Sequence, residues 1–384
     1  MHKLRIGLLI ETLHRHGGLE RRTSALANGL LAAGHEVHIY ANKWDSEAAE
    51  GAHFHRVPML KLDRAMKLLG FAWFSSRLAA GNDLIHTQAR VFRYDLATLG
   101  GGCHKAYLDA MGIDPQKTPD RRIHRVILHI ERSMFDPKNF VRGNRIIVNS
   151  NKCKAEIIDH YSVPEASIDV VHNGVDREAF SPEMCAGRRT TARTELGLDA
   201  NEIAILLVGT GFERKGLKTL IRAAGILNAE KPACRIRVLV VGSGKTDGYK
   251  AGATELGIAE RLVWVGRADD IAKHYAAADI FVLPTRYDPF ANSTMEALAS
   301  GIPVITTTAN GVSEIIRDGT DGLIIEPNDA EALADRLNTL ASDAKLRQRI
   351  GSSGRKAVEP YTWQRTTEQT IAVYEKIIIS RNKL

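Results

Sequence analysis

Two carboxylates stand on either side of a small-residue turn in the segment Thr285–Val304, TRYDPFANSTMEALASGIPV. The side chain of Asn292 or Ser293 can cap the helix that follows, because its oxygen accepts the free amides of the first turn. A helix that begins there presents amides and the positive end of its dipole, which suits a phosphate. Asp288 lies just before the turn and Glu296 on the first helical turn. The spacing predicts a phosphate site in which one carboxylate meets a polyhydroxylated group and the other a ribose.

A simpler interpretation is that these two acids only favour the positive end of the helix dipole. For an isolated acid that interpretation usually holds. Here it must also explain the small-residue turn, the stop at Gly301 and Pro303, and the apolar run Ile302–Ile305. We therefore favour a ligand site.

A basic pair, Arg214 and Lys215, occupies the glycine-flanked loop GTGFERKG. The apolar run Ile203–Val208 before the loop predicts a strand, and the apolar positions through Leu220 predict a helix after it. Basic pairs are usually solvated, but they are rare in a glycine-flanked loop between a strand and a helix. The pair is the second candidate for chemistry.

The elements that position these residues follow an alternation of strands and helices that occurs twice. In the first half, Arg5–Ile10 predicts a strand, Gly17-Gly18 a turn, and Val37–Tyr40 a strand after a helical pattern. Such a unit implies a parallel sheet. Because 384 residues exceed one ordinary core, we predict two α/β domains. The polar segment Ser181–Asp199 is the predicted linker between them.

The composition is that of a globular protein with anionic partners. Hydrophobic residues make up 44% and charged residues 25%, and the formal net charge is +7. This balance favours nucleotide phosphates, phosphorylated sugars, anionic lipid or nucleic acid as partners. Nucleic acid is the weakest of these, because aromatic residues are only 6% and do not interleave with the basic ones.

The four cysteines are scattered without any paired short spacing. This argues against a zinc site or a disulfide framework and fits a reducing compartment. No apolar run approaches the ~18 residues of a membrane helix. We therefore expect a soluble, cytoplasmic protein.

A basic amphipathic helix is predicted over residues 119–135, with Thr118 as its cap and Pro119 at its first position. Such a helix can lie at an anionic membrane surface. The alternative is a helix that packs on its own domain and exposes a solvated basic face.

The segment with the two carboxylates resembles the signature of retaining family-4 glycosyltransferases of GT-B fold. Their pattern is Glu-Pro-Phe-Gly, then Glu-Ala, then Gly-x-Pro-Val at the end of the helix. This chain has Asp288-Pro289-Phe290-Ala291, Glu296-Ala297 and Gly301-Ile302-Pro303-Val304. In addition, His172–Phe180 resembles the family's Asn-Gly-Val-Asp-x-x-x-Phe motif. Asp288 replaces the usual Glu and Ala291 the usual Gly, which leaves the identity of the donor sugar open.

The resemblance implies an α/β protein with two Rossmann-like parallel-sheet domains that face a cleft. Residues 1–180, with a crossing helix at 362–384, would form the acceptor-side domain, and residues 181–361 the nucleotide-sugar domain. The implied catalytic residues are Arg214, Lys215, Asp288 and Glu296. The implied donor-binding residues are Gly17, Gly18, Arg177, Gly211, Gly266, Arg267, Ala291, Asn292, Ser293 and Thr294. The acceptor-side candidates are Arg21, Arg22, Asp95 and His104.

The order of the segments resembles the lipopolysaccharide-core glucosyltransferases most. This implies transfer of a hexose, glucose, from a UDP-sugar such as UDP-glucose to a phosphorylated heptose, with retention of configuration. The chain contains no Asp-x-Asp, so we expect neither a metal nor a cofactor, and Arg214 and Lys215 take the place of a cation. The resemblance also implies that the basic helix docks on the cytoplasmic face of the inner membrane.

Three alternatives stay open at this point. The acceptor can be another molecule, such as a polysaccharide, a phosphoinositol lipid or a small thiol precursor. The protein can be a sugar-nucleotide 2-epimerase, which shares the fold. It can also be a donor-binding pseudoenzyme, since Gln88, Gly101 and Asp288 depart from the residues that relatives carry.

Overall fold

The computed structural model describes residues 3–14, 18–59 and 63–381. The chain divides into two compact units, of which the first comprises residues 1–174 and 363–384 and the second residues 175–362. None of the helices in the described ranges combines the length and apolarity that crossing a bilayer requires.

Strands and helices alternate along the first unit. They are β1 (Arg5–Leu9), β2 (Thr12–Leu13), α1 (Gly18–Ala32), β3 (Glu36–Ala41), β4 (Lys43–Trp44), β5 (His53–Arg56), α2 (Arg64–Leu78), β6 (Leu84–Thr87), β7 (Leu96–Thr98), α3 (His104–Met111), α4 (Arg121–Met134), α5 (Pro137–Val141), β8 (Arg145–Val148), α6 (Asn151–Tyr161) and β9 (Ile168–Val170).

The alternation restarts in the second unit, and one further helix follows it. The elements are α7 (Pro182–Glu195), β10 (Ile203–Val208), α8 (Leu217–Glu230), β11 (Ile236–Val241), α9 (Asp247–Glu255), β12 (Leu262–Gly266), α10 (Ile271–Ala277), β13 (Ile280–Leu283), α11 (Asn292–Ala299), β14 (Val304–Thr307), β15 (Leu323–Ile325), α12 (Ala330–Ser342), α13 (Ala344–Val358) and α14 (Trp363–Arg381).

Each unit is built on a parallel sheet. In the described residues of the first unit the order is β5-β3-β1-β6-β7-β8-β9. In the second it is β12-β11-β10-β13-β14-β15. Strands such as β10 (IAILLV) and β13 (IFVL) are nearly continuous apolar runs, because helices cover both faces of a parallel sheet. The predicted α/β class with two Rossmann-like domains is confirmed.

The boundary between the units differs slightly from the prediction, which ends the first domain at residue 180. Residues 175–180 lie in the second unit. The amide of Val175 donates to the carbonyl of Tyr361 at 3.0 Å, and the ring of Phe180 packs edge-on against Tyr275. These contacts attach the segment to the second core.

The predicted linker over residues 181–199 is wrong, because most of it forms α7. Ser181 caps this helix by accepting the amide of Met184 at 3.1 Å, and Pro182 stands at its first position. The side chain of Arg193 is buried and donates to the carbonyl of Ala277 at 3.1 Å. The helix is polar because its outer face is solvated, not because it is a free connection.

Helix α14 packs in the first unit. The hydroxyl of Tyr374 lies 2.8 Å from Nδ1 of His86, and the hydroxyl of Thr366 donates to the carbonyl of His172 at 2.9 Å. A Cβ on Gly29 of α1 would lie 2.7 Å from Thr367, so α1 and α14 approach closely. The end of the chain therefore completes the core of the first unit.

Candidate active site

The strand order of the second sheet reverses between β10 and β13, which pair with each other. Ligands of parallel α/β sheets bind outside the carboxyl ends of the strands at such a reversal. Arg214 and Lys215 lie in the loop after β10, and Asp288 lies in the loop after β13. The fold thus brings together, in two neighbouring loops, residues that are more than seventy positions apart.

The two cations meet at a single carboxylate oxygen. Nζ of Lys215 donates to Oδ2 of Asp288 at 2.7 Å, and Nη1 of Arg214 donates to the same oxygen at 2.6 Å. Arg214 also donates to the carbonyl of Tyr287 at 3.0 Å. Lys215 is 7% exposed and Asp288 is 5% exposed. Charge-assisted hydrogen bonds of this kind hold both cations in one geometry.

The backbone fixes Asp288 in turn. Its amide donates to the carbonyl of Ala309 at 3.1 Å, and its carbonyl accepts the amide of Gly311 at 2.9 Å. Its second side-chain oxygen, Oδ1, accepts the amide of Phe290 at 3.3 Å. The carboxylate therefore has little freedom to move away from the two cations.

In this contact two cations face one carboxylate, and the second carboxylate, Glu296, also acts on Lys215. Burial raises the pKa of Asp288, but the Lys215 and Arg214 cations outweigh burial and hold the pKa below its usual value. Burial lowers the pKa of Lys215 more than Asp288 raises it. Because two cations share one carboxylate, the site can attract a further anion, such as a phosphate.

Helix α11 begins differently from the prediction. Ala291 is its N-cap and gives the first turn no side-chain hydrogen bond. Asn292 and Ser293 are its first two helical residues, so the prediction that one of them is the cap is wrong. Glu296 lies one turn further along than predicted, since the first turn contains no acidic residue.

Asn310, which was not predicted as a site residue, lies in the loop after β14 and connects it to the loop that carries Asp288. It is fully buried. Its Oδ1 accepts the amide of Ala291 at 3.2 Å, and its Nδ2 donates to the hydroxyls of Thr294 and Thr306 at 3.0 Å each. The hydroxyl of Thr294 is therefore engaged inside the protein, and its position does not support direct contact with a donor. The sequence feature that could have identified Asn310 is its position in an Asn-Gly pair soon after an apolar run.

Tyr275 orients Glu296 and was also missed. The phenol is fully buried, and its oxygen lies 2.8 Å from Oε2 of Glu296 and 3.0 Å from the carbonyl of Ser293, two acceptors that share its single proton. Glu296 is 8% exposed. Its carboxylate is close enough to Lys215 to oppose, together with Asp288, the lowering of the Lys215 pKa by burial. The four predicted catalytic residues thus form one neighbourhood.

The other predicted donor-binding residues of the second unit are Arg177, Gly211, Gly266 and Arg267. Gly266 and Arg267 are exposed at the end of β12, and Arg177 is exposed in a turn. Gly211 lies in the loop after β10, where a Cβ would meet no atom within 4 Å. Within the described ranges, no hydrogen bond or ion pair joins Arg177 or Arg267 to Asp288.

In the first unit, the predicted residues divide between the two edges of the sheet. Gly17 lies outside the described residues, and Gly18 is the first residue of α1. Arg21 is exposed on α1, whereas Arg22 is buried. Gly18, Arg21 and Arg22 follow β1 and so lie at the carboxyl edge, where ligands of parallel sheets bind.

Asp95 lies at the opposite edge, because it precedes β7. Its Oδ2 accepts the amide of Ile85 at 2.7 Å, and it forms an ion pair with Arg381 of α14. Burial raises the pKa of Asp95. This position corrects the acceptor-side prediction for Asp95, which holds the sheet and the last helix together.

His104 is engaged by its own unit. Its amide donates to both carboxylate oxygens of Glu131, at 2.9 and 3.1 Å, and its Nε2 lies 3.0 Å from Nδ1 of His124. Burial lowers the pKa of His104 to about 3. The imidazole is therefore neutral at physiological pH, and its contacts favour a structural role.

One group of side chains in the described residues could hold a metal ion. Ligand atoms of Glu36, His38 and His53 lie within 4.8 Å of one another on β3 and β5 of the first unit. The Nε of Arg5 already donates to Nε2 of His38 at 3.1 Å. This group belongs to a different unit from Asp288.

Gly216 must remain glycine for the loop that carries Lys215 to form. Its φ is +75°, and a Cβ would lie 1.8 Å from the carbonyl oxygen of Pro284. We expect Gly216→Ala to lower the free energy of unfolding by more than the ~1–2 kcal/mol of a left-handed alanine alone. Urea denaturation would measure this.

Gly211→Ala is the matched control, because Gly211 has a φ of +73° but free space around its Cβ. It should show the conformational penalty only. Equal losses in the two variants would contradict the close approach of Gly216 to Pro284.

Comparisons with known proteins agree with this fold. Residues 16–179 match the family described as Glycosyltransferase Family 4, and residues 188–357 match the family described as Glycosyl transferases group 1. Each of the two matches covers most of one unit, and the fold is of the GT-B class.

Two curated relatives extend this finding. The chain is 25% identical over 379 residues to an uncharacterised glycosyltransferase of Methanocaldococcus jannaschii, covering 94% of both proteins. It is 29% identical over 259 residues to the D-inositol 3-phosphate glycosyltransferase of Rhodococcus opacus, covering 65% of this chain and 57% of that protein.

Two solved structures share the fold. WaaG, a glycosyltransferase involved in lipopolysaccharide biosynthesis, superposes with a TM-score of 0.84 at 20% identity, covering 96% of this chain and 99% of WaaG. Anabaena HepE in complex with UDP-glucose superposes with a TM-score of 0.73 at 18% identity, covering 97% and 99%.

Proposed function

We propose that this protein transfers a hexose, glucose, from a UDP-sugar to a phosphorylated heptose of the lipopolysaccharide core, with retention of configuration. The observation that carries the proposal is the convergence of Arg214 and Lys215 on the buried Asp288. Both cations lie in a loop at the carboxyl edge of the second sheet, where ligands of parallel sheets bind, and there they would meet the pyrophosphate of the donor.

The two cations would act on the leaving group. When the glycosyl bond breaks, negative charge grows on the β-phosphate of UDP. Arg214 and Lys215 would stabilise that charge more in the transition state than in the ground state, which is what accelerates a reaction. They would thereby replace a metal ion, in keeping with the absence of Asp-x-Asp from the sequence.

The two carboxylates would position the donor. Asp288 would accept a hydroxyl of the hexose, and Glu296, oriented by Tyr275, would accept a hydroxyl of the ribose. We assign no side chain as a nucleophile. The acceptor hydroxyl would attack on the face that the UDP leaves, through an ion-pair-like transition state, and this retains the configuration.

The donor part of the proposal draws support from HepE, whose structure contains UDP-glucose. The acceptor part draws support from the sequence resemblance to the lipopolysaccharide-core enzymes and from the fold of WaaG. A second candidate acceptor is D-inositol 3-phosphate, because the relative from Rhodococcus opacus carries that substrate in its name. Both candidates are phosphorylated polyols.

Helix α4 supports docking at the cytoplasmic face of the inner membrane. Ile130 and Met134 are buried in its own unit, whereas Arg121, Arg125 and Arg132 are exposed. We propose that this basic face meets anionic lipid, which would bring the enzyme to a lipid-linked acceptor. The protein would then be a cytoplasmic enzyme that associates peripherally with the membrane.

Release of UDP from a panel of sugar nucleotides tests the function. Each donor is offered alone, with heptose-terminated lipopolysaccharide, and with D-inositol 3-phosphate. We expect UDP release from UDP-glucose that depends on the lipopolysaccharide, and a product whose anomeric signal matches that of the donor.

Other outcomes would overturn parts of the proposal. Turnover only with D-inositol 3-phosphate would favour the second candidate. Release of nucleotide without any acceptor sugar would favour a 2-epimerase. Binding of a donor without turnover on any acceptor would favour a pseudoenzyme.

A further inference from the structure

Three side chains with metal-ligating atoms share one face of the first sheet, at its amino edge. His38 on β3 pairs directly with His53 on β5, and Glu36 precedes His38 by two positions on the same strand. Side chains two positions apart point to the same face of a strand, so all three lie on one side of the sheet. The opposite face of β3 carries Val37 and Ile39 in the hydrophobic core. Glu36, His38 and His53 form the amino-edge cluster.

The ligand atoms of the amino-edge cluster are close enough to meet one ion. They all lie within 4.8 Å of one another, and the rings of His38 and His53 stack with their centroids 4.8 Å apart. Ligands of one zinc ion lie roughly 3–4 Å apart, since each bond to the metal is about 2 Å long. His53 is exposed, so a rotation of its side chain can close the remaining gap.

His38 has a nitrogen whose two neighbours cannot both be satisfied. Its Nε2 lies 2.8 Å from Oε1 of Glu36, and the Nε of Arg5 donates to it at 3.1 Å. An imidazole nitrogen is either a donor or an acceptor, so Nε2 cannot donate to the carboxylate while it accepts from Arg5. A metal ion removes this conflict, because Nε2 and the carboxylate oxygen can both give it a lone pair.

His55 supplies the hydrogen bond that orients His38 for this role. Its Nε2 lies 2.7 Å from Nδ1 of His38. When Nε2 of His38 binds a metal, Nδ1 carries the proton and can donate it to His55, and metal-bound histidines usually donate their other N–H in this way. Burial, and then the neighbouring His38, lower the pKa of His55. Its ring is therefore neutral at pH 7 and can accept that hydrogen bond.

Two imidazoles and one carboxylate suit Zn²⁺ and other divalent ions that bind imidazole well, such as Ni²⁺ and Co²⁺. We propose that Glu36, His38 and His53 bind one such ion and that His55 orients His38. The ion would join β5, the outermost strand on that side in the described part of the sheet, to β3. The cluster lies at the amino edge, whereas ligands of parallel sheets bind at the carboxyl edge. The ion therefore takes no part in the proposed transfer.

Arg5 competes with the ion for this position. Its Nε lies 3.8 Å from Oε1 of Glu36, and its side chain is 47% exposed. The side chain can therefore turn into solvent when a metal binds, but its charge remains near and weakens the binding. We expect Arg5→Met to bind Zn²⁺ about fivefold more tightly than the parent. An adventitious site elsewhere on the chain would not respond to this change.

Calorimetric titration of the untagged full chain with ZnCl₂, after treatment with a chelator, tests the site. MgCl₂ is the comparison, because Mg²⁺ prefers oxygen ligands. The variants each change one side chain of the cluster or one that contacts it, and they are Glu36→Gln, His53→Gln, His55→Gln and Arg5→Met. The control is His160→Gln, which replaces an exposed histidine of α6 in the same unit. The unfolding midpoint in urea is measured for each variant without metal.

We expect the parent to bind one Zn²⁺ per chain, at least about a hundredfold more tightly than Mg²⁺. His55→Gln should weaken Zn²⁺ binding by about 10–100-fold, the usual effect of losing the group that orients a ligand. Glu36→Gln and His53→Gln each remove a ligand and should weaken it more, whereas His160→Gln should leave it unchanged. His53→Gln should keep the unfolding midpoint of the parent, because the side chain is exposed.

Two results would overturn the inference. One is that Zn²⁺ does not bind to the parent, or binds no more tightly than Mg²⁺. The other is that Glu36→Gln and His53→Gln bind Zn²⁺ as the parent does, which would place the ion at an adventitious site elsewhere on the chain. UDP release plays no part in either readout, so the outcome is independent of the proposed function.

Discussion

Lys215→Ala is expected to lower kcat for UDP-glucose by about 100–1,000-fold, the effect of removing one fixed donor from developing negative charge. Lys215 is buried and held by Asp288 at 2.7 Å, so no water can take over its position at low cost. Because the charge on the β-phosphate grows only as the bond breaks, KM for the donor should change much less than kcat. Steady-state UDP release measures both.

Lys218→Ala is the matched control for this prediction. Lys218 lies three residues further along and is exposed on α8. It should leave kcat within about twofold of the parent, as surface substitutions usually do. If Lys215→Ala instead raises KM alone, the lysine binds the donor without acting on the leaving group.

Asp288→Asn is expected to lower the free energy of unfolding by about 3–5 kcal/mol, the effect of breaking a buried ion pair. The amide cannot balance the charges of Lys215 and Arg214, and both cations would remain in contact with it. Urea denaturation followed by tryptophan fluorescence would measure the loss. The double variant Lys215→Met/Asp288→Asn should lose less than the sum of the two single variants, because the buried charge is removed together with its partner.

The control for this prediction is Asp199→Asn, which removes the carboxylate of an exposed ion pair with Arg235. That pair should contribute less than about 1 kcal/mol. A loss of similar size in Asp199→Asn and Asp288→Asn would contradict the burial of the Asp288 contact.

The Asp288 contact should also appear in the pH dependence of stability. The pKa of Asp288 is lower in the folded protein than its ordinary value of 3.8. Its contribution is therefore present above about pH 3.8 and is lost as the pH falls through the lowered folded-state pKa. The parent should lose stability over this acidic range more steeply than Asp288→Asn, which has no proton to bind at that position.

Local patterns in the sequence were sufficient to predict some of the strands, among them β1, β3 and β10. β10 was predicted because parallel strands covered on both faces are continuous apolar runs. The loop after β10 was a candidate because basic residues stood between glycines. The sequence could not predict that Arg214 and Lys215 share one oxygen of Asp288. This contact depends on the pairing of β10 with β13.

Two predictions were wrong although the sequence contained information that could have corrected them. Ser181 and Pro182 formed the usual start of a helix, but the polar residues that follow suggested a linker. Asp95 was grouped with acceptor-side residues, although it precedes its strand and therefore belongs to the other edge of the sheet. Asn310 and Tyr275 were missed because they act through hydrogen bonds to residues far away in the chain.

Because α14 packs in the first unit, it affects the order in which the two units can fold during synthesis on the ribosome. Residues 175–362 form their own compact unit, and this unit can fold while the end of the chain is still inside the exit tunnel. Residues 1–174 leave the ribosome earlier, but His86 then still lacks its hydrogen-bond partner, the hydroxyl of Tyr374. Although domains usually fold in the order of synthesis, the amino-terminal unit of this protein is the one completed last.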